Sequence, residues 1–467
     1  MRTKPTALAV LAAFTLSACA SFSPDGGFSG VEGAAKDRLG KDVKWAKTDA
    51  DRDALDKRVT ELLAKPLSVD DAVQIALLNN KGLQASFAEL GITEAELVQA
   101  GRLPNPGFSF GRNTRGNEVE IERGIHFNLA RLLAMPLVSE VEGRRFARVQ
   151  SETTQQMLSL ASQTRKAWIA AVAAGETVGY MQQVRQAAEA GAELGRRMAQ
   201  AGNWNKITQA REQSFYADAA LNLARAERAQ LAARERLTRL MGLWGAQTAF
   251  SLPARLPDLP GTAQKLANVE QTALAQRLDV QAARLGAEQT AKSLGLTRTT
   301  RFINVLELGF SHNNSNEKPV QRGYEIGFEL PLFDWSGARV ARAEAIYMQA
   351  LNRAAETAVN ARSEVREAYL GYRSSHDMAR HYRDEIVPLK KRISEENVLR
   401  YNGMLIGVFE LLADARSQIV SVSGYIDSLR DFWLAQADLD MALIGKTTLS
   451  TVPTAGIAPA AASAAAH

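Results

Sequence analysis

The chain has 467 residues, 46% hydrophobic and 23% charged, with a formal net charge of +5 and a mean hydropathy of -0.19. This composition excludes wholesale disorder, and no apolar run reaches the ~18 residues of a membrane-spanning helix, which excludes a polytopic helical membrane protein. One cysteine and five histidines exclude a disulfide framework and leave little material for a metal centre, and the interspersed basic and acidic residues read as a solvated surface, not a nucleic-acid face.

Residues 1–18 place Arg2 and Lys4 before a short apolar run from Ala7 to Leu16, the pattern of a secretory signal peptide. Its end, Leu16-Ser17-Ala18-Cys19, resembles the bacterial lipoprotein signal, in which the cysteine is acylated and becomes the first mature residue. Cys19 is then the lipid attachment point; the alternative is an ordinary cleavage site beside a chance cysteine. Ala20, where an aspartate would mark retention, resembles the pattern sent on to the outer membrane. Residues 19–66 read as a lipidated linker and extension. Residues 20–34 are rich in Ser, Gly and Phe without a period, and residues 35–65 carry dense mixed charge, as in an exposed helix or a lightly packed extension.

From residue 67 the chain repeats itself with a period of about 200 residues. Gly143-Arg144-Arg145-Phe146-Ala147-Arg148 is echoed by Gly337-Ala338-Arg339-Val340-Ala341-Arg342, and Ala210-Arg211 by Ala415-Arg416. Extended apolar pieces ending at Pro136 and Pro331 precede the first echo, and glycine-containing breaks fall at Gly202-Asn203 and Asn402-Gly403. Each repeat reads as helix, two strands, long helix, turn, helix. The first covers 67–243 and the second 262–446. They are joined by the proline-broken linker 244–261 and followed by a tail, 447–467, expected to be disordered. The helix from about Val138 to Ala201 would measure roughly 95 Å at 1.5 Å per residue. Its counterpart, Gly337 to Asn402, contains Pro388, expected to kink it. In the last helix Leu412, Ala415, Ile419, Val422, Ile426, Leu429 and Trp433 step by three and four, a coiled-coil seam, with Ser417, Ser421 and Asp431 opposite.

Two segments, 107–130 and 301–333, switch to a period of two and read as hairpins with polar loops at Asn113 to Asn117 and His312 to Gln321. Val119, Ile121, Ile125, Phe127 and Leu129 share one face, interrupted by Arg123, against Glu118, Glu120, Glu122, His126 and Asn128 on the other; before them Phe108 and Phe110 alternate with Ser109 and Gly111. In the second hairpin Leu306, Leu308 and Phe310 alternate with Glu307, Gly309 and Ser311, and Tyr324, Ile326, Phe328 and Leu330 with Glu325, Gly327 and Glu329. Strands of about ten residues with this alternation suit a transmembrane barrel, and they equally suit a small soluble sheet packed on helices. Four strands cannot close a barrel, and open edges are not tolerated in hydrocarbon. If the strands cross a membrane, three copies must pool twelve of them around water.

The strings Leu67-Ser68-Val69-Asp70-Asp71-Ala72-Val73-Gln74-Ile75-Ala76-Leu77-Leu78-Asn79-Asn80, Gly101-Arg102-Leu103-Pro104-Asn105-Pro106, Arg277-Leu278-Asp279-Val280 and Leu330-Pro331-Leu332-Phe333-Asp334, in this order and spacing, resemble the TolC-like outer membrane efflux proteins, in particular their lipoprotein members. The resemblance implies a mainly α fold with a small β part: long antiparallel helices forming a periplasmic α-barrel, and four strands per chain in a trimeric twelve-stranded outer membrane β-barrel. It implies a homotrimer docked to a periplasmic adaptor (membrane fusion) protein and an inner-membrane pump or exporter. It also implies a periplasmic gate in which Tyr401 and Glu410 match a tyrosine and an acid of the family, with a second acid at Ala413 or Asp414. The turn Ala201 to Lys206 is about four residues shorter than its partner and departs from the family's tip pattern. The barrel acids Glu118, Glu120, Glu122, Glu307, Glu325 and Glu329 are expected to line a wet lumen.

No phosphate loop, His-Glu-x-x-His, Cys-x-x-Cys or Gly-x-Ser-x-Gly occurs, so no enzyme activity and no cofactor are expected. His376 and His381, five apart, read as surface residues, and Trp168, Trp204, Trp244, Trp335 and Trp433 as packing or interface residues. The expected function is a passive exit duct of a tripartite efflux system; the alternative is a lipid-anchored coiled-coil scaffold without a pore.

Overall fold

The computed structural model describes residues 21–300, 305–329 and 332–447. The signal peptide, the Cys19 anchor and the tail beyond residue 447 lie outside the described residues, as does the Leu330-Pro331 pair of the second hairpin. The chain divides into two units. One gathers Gln84–Gln156 and Leu278–Asn360 with the described part of residues 1–40. The other gathers Lys41–Leu83, Met157–Arg277 and the described part of residues 361–467. Each draws on both sequence repeats.

The first unit holds helix α1 (Ser29–Leu39) and most of α4 (Lys81–Ala100), then strands β1 (Gly107–Arg115) and β2 (Glu118–Asn128). It continues with the start of α5 (Leu129–Gln200), α8 (Leu278–Thr300), β3 (Leu306–Ser315), β4 (Gln321–Phe328) and the start of α9 (Gly337–His381). Its N-terminal segment is not a loose tether. The Phe28 ring stands edge-on to Phe87 with centroids 4.9 Å apart, the Ser23 backbone N–H donates to Glu94 at 2.7 Å, and the Gln150 amide donates to the Gly27 carbonyl at 2.8 Å. The Ser/Gly composition hides α1, whose buried stripe is only Val31 and Ala35, four residues apart. Cross-repeat ion pairs, Arg144–Glu288 at 3.0 Å and Lys292–Glu140 at 2.9 Å, join α5 to α8.

The four strands form one antiparallel sheet in the order β1-β2-β3-β4. The two hairpins are thus not separate: β2 pairs with β3, with Glu120 opposite Ser315 and Asn128 opposite Glu307. The strands run further than expected into the polar segments, because the backbone ladder continues where the side chains cease to be apolar. Arg115 still pairs with Glu118, leaving a two-residue turn at Gly116-Asn117, with Gly116 at φ +62° as such tight turns require. At the other end β2 stops sooner. The Asn128 side chain accepts the Arg131 backbone N–H at 2.8 Å and starts α5 at Leu129, so Leu129 to Pro136 is helical, not extended, and Pro136 lies inside the helix. At 72 residues α5 is about 108 Å long.

The second unit holds α2 (Asp49–Leu63), α3 (Val69–Asn79), the rest of α5, α6 (Lys206–Met241), α7 (Val269–Gln276), the rest of α9, a π-helical turn (Tyr382–Ile386), α10 (Val387–Asn402) and α11 (Val408–Ile444). Helix α2 carries a capping box, Thr48 and Asp51 each satisfying the other's backbone N–H, and it buries Val59 and Leu62 in the core with Leu67, Ile75, Leu237 and Met241. Of the two expected forms it takes that of a mostly exposed helix, tied to the fold by the Val59–Leu62 stripe. The expected interruption near Pro388 appears as the π turn just before it: the missing N–H is accommodated by one extra residue per turn. The seam of α11 buries Ile426 and Leu429 as expected, but Ser421 on its polar side is buried too, and Ser417 accepts Lys390 at 2.8 Å. Helix α11 is packed on more than one side.

The string ending in Asn79-Asn80 acquires a physical role. Both side-chain amides donate to the last carbonyls of α6: Asn79 to Met241 and Gly242 at 3.2 and 2.8 Å, Asn80 to Leu240 at 2.9 Å. Gly242 ends α6 in the left-handed region (φ +67°), where a Cβ would lie 2.9 Å from the Asn79 carbonyl oxygen. Gly242→Ala is expected to destabilise the fold by about 1–3 kcal/mol, combining left-handed strain with a backbone clash. Unchanged thermal unfolding of the variant would refute this.

Candidate functional site

The sheet separates its side chains by chemistry. The register sets Phe108, Ile125, Phe310 and Tyr324 in one row and Phe127, Leu308 and Ile326 in the next, all on one face. That face is bare: Phe108 is 68%, Tyr324 75% and Phe328 64% exposed. In water such a patch is a liability, since soluble monomers rarely expose contiguous apolar surface of this kind. The opposite face carries Glu118, Glu120, Glu122, Glu307 and Glu325 among glycines, serines and asparagines. Glu118 pairs with Lys318 at 2.7 Å and accepts the Ser315 hydroxyl at 3.1 Å, and Glu122 accepts the Asn113 amide at 2.9 Å. Glu329 lies just past β4, its backbone N–H donating to the Val305 carbonyl at 3.4 Å. Among the described residues the outer edges of β1 and β4 have no strand partner.

In the second unit, two turns join long helices. Residues 201–205 connect α5 to α6, closed by Asn203 N–H to the Met198 carbonyl at 2.9 Å and by Asn205, whose side chain accepts the Thr208 N–H at 2.8 Å. Residues 403–407 connect α10 to α11, closed by Leu405 N–H to the Arg400 carbonyl at 2.8 Å, with Met404 at φ +57° and 93% exposed. Tyr401 sits at the end of α10, Glu410 in the first turn of α11 and Asp414 in the second. The structure brings the three to one helical hairpin but into no mutual hydrogen bond among the described residues. Tyr401 and Glu410 face solvent, as does Ala413, whereas the Asp414 Oδ2 atom is buried without a partner. Near the other turn Glu193 is held at a pKa of about 2 by hydrogen bonds from Arg196 and then Arg197.

No protein-family model and no curated protein matches this sequence. Solved structures do. The Campylobacter jejuni CmeC outer membrane channel is 17% identical with a TM-score of 0.70, over 80% of this chain and 85% of that one. The Vibrio cholerae outer membrane protein VceC is 15% identical with a TM-score of 0.68, over 81% and 96%. The open-state Neisseria gonorrhoeae MtrE outer membrane channel is 19% identical with a TM-score of 0.68, over 81% and 89%. The chain has the TolC-like fold. Long helices and a small four-stranded antiparallel sheet are the elements this fold requires, and the expected fold class stands at the level of one chain.

Two features of this TolC-like chain escape sequence reading. Glu212 is fully buried near the start of α6, its carboxylate accepting Arg416 of α11 at 2.7 Å, and that guanidinium lies 4.3 Å from the Phe215 ring centroid. The signal for it is spacing: Glu212, Phe215 and Ala219 step by three and four, so an acid occupies a seam position. His376, expected at the surface, is 2% exposed; its Nε2 lies 3.0 Å from the Pro260 carbonyl and its ring meets Phe432 edge-on. The linker 244–261 folds over it, which periodicity cannot foresee. His381 is exposed as expected. Trp168 and Trp433 anchor packing through indole N–H donors to the Leu67 and Pro257 carbonyls at 2.9 and 3.0 Å, while Trp244 and Trp335 are exposed. Among the described residues no helix is long and apolar enough to cross a membrane, which says nothing of a β-barrel, and no three metal-ligating side chains gather.

Proposed function

We propose that the chain is one subunit of a trimeric outer membrane channel, a passive exit duct fed by an inner-membrane transporter through a periplasmic adaptor. One observation carries this: a four-stranded sheet with a bare aromatic and aliphatic face, an acidic face and two unpaired edges. Hydrocarbon on the first face removes the exposed apolar surface, and water on the second solvates the carboxylates. Pairing β4 of one subunit with β1 of the next satisfies the edges, and three copies close twelve strands around an aqueous lumen. Glu118, Glu120, Glu122, Glu307, Glu325 and Glu329 would then line that lumen. The solved channels of the same fold support the location, and Cys19, if acylated, would add a lipid anchor in the same membrane.

Tyr401, Glu410 and Asp414 form the gate in this reading. Three copies of each carboxylate around an axis make a ring of negative potential at a constriction, favouring cations. The exposed Met404 and Leu405 supply an apolar tip for the adaptor. The coiled-coil scaffold without a pore is the weaker alternative, because it leaves the apolar face of the sheet in water.

The test is reconstitution. Heat-modifiable trimers from outer membrane extracts should conduct in planar bilayers; a protein that stays soluble once lipidation is blocked and never conducts would exclude the duct. Tyr401→Phe combined with Glu410→Ala should raise single-channel conductance and lower cation selectivity. Unchanged currents would remove both residues from the gate.

A further inference from the structure

Toward its hairpin end the apolar face of the sheet takes on three arginines. Counted from the helical end, its rows read Leu306–Phe328, then Phe127–Leu308–Ile326, then Phe108–Ile125–Phe310–Tyr324. The next row, about 6.8 Å further along the strands, reads Phe110–Arg123–His312–Arg322, and Arg112 follows beyond it opposite Ile121. Arg112, Arg123 and Arg322 are exposed, and none makes an ion pair or hydrogen bond to another described residue.

Their isolation is a consequence of the pleat. Glu120 and Glu122 are close to Arg123 in sequence, yet the period of two puts them on the opposite face, and the row's own neighbours are Phe110 and a histidine. This sheet therefore sorts charge as well as hydrophobicity: its acids face one way and these three arginines the other. Arg123 and Arg322 are two strands apart, about 9.6 Å, with His312 between them. That spacing suits two phosphate groups or one extended anionic headgroup. A guanidinium presents a fork of donors that matches phosphate oxygens bidentately.

We propose that this row binds the phosphates of an anionic membrane lipid, a phosphorylated glycolipid in the leaflet on the hairpin side, whose acyl chains lie along the three apolar rows. The proposal rests on the membrane-embedded reading of the sheet. A membrane lipid fits better than a free phosphate because the arginines border exposed hydrocarbon-facing side chains directly. One molecule can satisfy both zones, and its chains add affinity with every buried methylene.

The test uses the full-length protein in mild detergent, titrated with a bisphosphorylated hexa-acyl glycolipid and with the same lipid after enzymatic dephosphorylation, bound lipid being counted by native mass spectrometry. At roughly fivefold per basic residue near a charged lipid surface, Arg123→Gln with Arg322→Gln should weaken the phosphorylated lipid about thirtyfold. Arg123→Lys with Arg322→Lys should keep most of the affinity. Equal binding of the two lipids by the unaltered protein overturns the proposal, whether or not the variants fold. So does an undiminished affinity in the glutamine variant. Complete displacement of the lipid by millimolar pyrophosphate would reassign the row to a soluble anion. Conductance of the same preparations separates the two claims: a conducting trimer without phosphate preference sinks the lipid site alone, whereas a non-conducting monomer sinks the channel as well.

Discussion

Ile326→Arg is expected to abolish recovery of the protein as a membrane-inserted trimer. Ile326 lies in the middle apolar row between Phe328 and Tyr324, with Leu308 as its cross-strand neighbour, and it is exposed. At the bilayer midplane an arginine on the lipid face of a barrel costs about 2–4 kcal/mol, and a trimer meets that cost three times. The opposite sign of control is available one strand away. Ser311 pairs with Gly124 and Gly323 on the acidic face, so Ser311→Arg should leave insertion intact and shift the pore toward anions. For a sheet in water the contrast vanishes, since an exposed apolar residue replaced by arginine changes stability by less than about 0.5 kcal/mol. Sedimentation of outer membrane fractions with bilayer recordings distinguishes the cases, and equal behaviour of the two variants would dispose of the membrane assignment.

Arg416→Ala should loosen the helical hairpins that carry the proposed gate. It strands the buried Glu212 carboxylate, whose one ion-pair and hydrogen-bond partner among the described residues is Arg416 at 2.7 Å, and removing one member of such a pair typically costs about 3–5 kcal/mol. Local opening is the expected outlet, because the pair lies within a few turns of both interhelical connections. Amide hydrogen exchange in the first turns of α6 and α11 should accelerate about a hundredfold or more, while the core around Trp168 and Phe432 stays protected. Replacing both members, Glu212→Leu with Arg416→Leu, should restore most of the protection, since two well-packed apolar side chains leave no unpaired charge. Unchanged exchange in Arg416→Ala would mean that water already reaches the carboxylate.

Much of this architecture is legible before any coordinates, because it is written in periods. Alternation of Leu306, Leu308 and Phe310 with Glu307, Gly309 and Ser311 is sufficient to assign both faces of β3, and it does so correctly. The long helices follow from proline-poor runs rich in Ala, Arg, Gln, Glu and Leu, with Pro136 tolerated near the start of α5, and Pro388 marks its own interruption. What escapes is whatever depends on a partner distant in sequence. Glu212 is buried because α11 covers it, and His376 because the proline-rich linker does. Strand ends escape for another reason. The backbone ladder of β1 and β2 is indifferent to whether Asn113 or Arg115 is apolar, whereas Asn128 ends its strand by capping a helix, a signal of one atom. For the proposed gate, sequence places Tyr401, Glu410 and Asp414 at one helical hairpin; whether copies of it would align around an axis is a property no single chain contains.

The pairing of β2 with β3 dictates an order of events during biogenesis. Residue 120 meets residue 315, so the middle of the sheet cannot exist until most of the polypeptide has been made. A contact closed over so long a loop forms slowly, and until it forms each lone hairpin is a marginal, greasy fragment. Under the proposed channel function, a chain that reached its membrane before this pairing closed would arrive with its sheet unmade and become amphiphilic only there. The same wiring means that the two halves, produced as separate polypeptides, have a reason to find each other: neither can complete a wall alone.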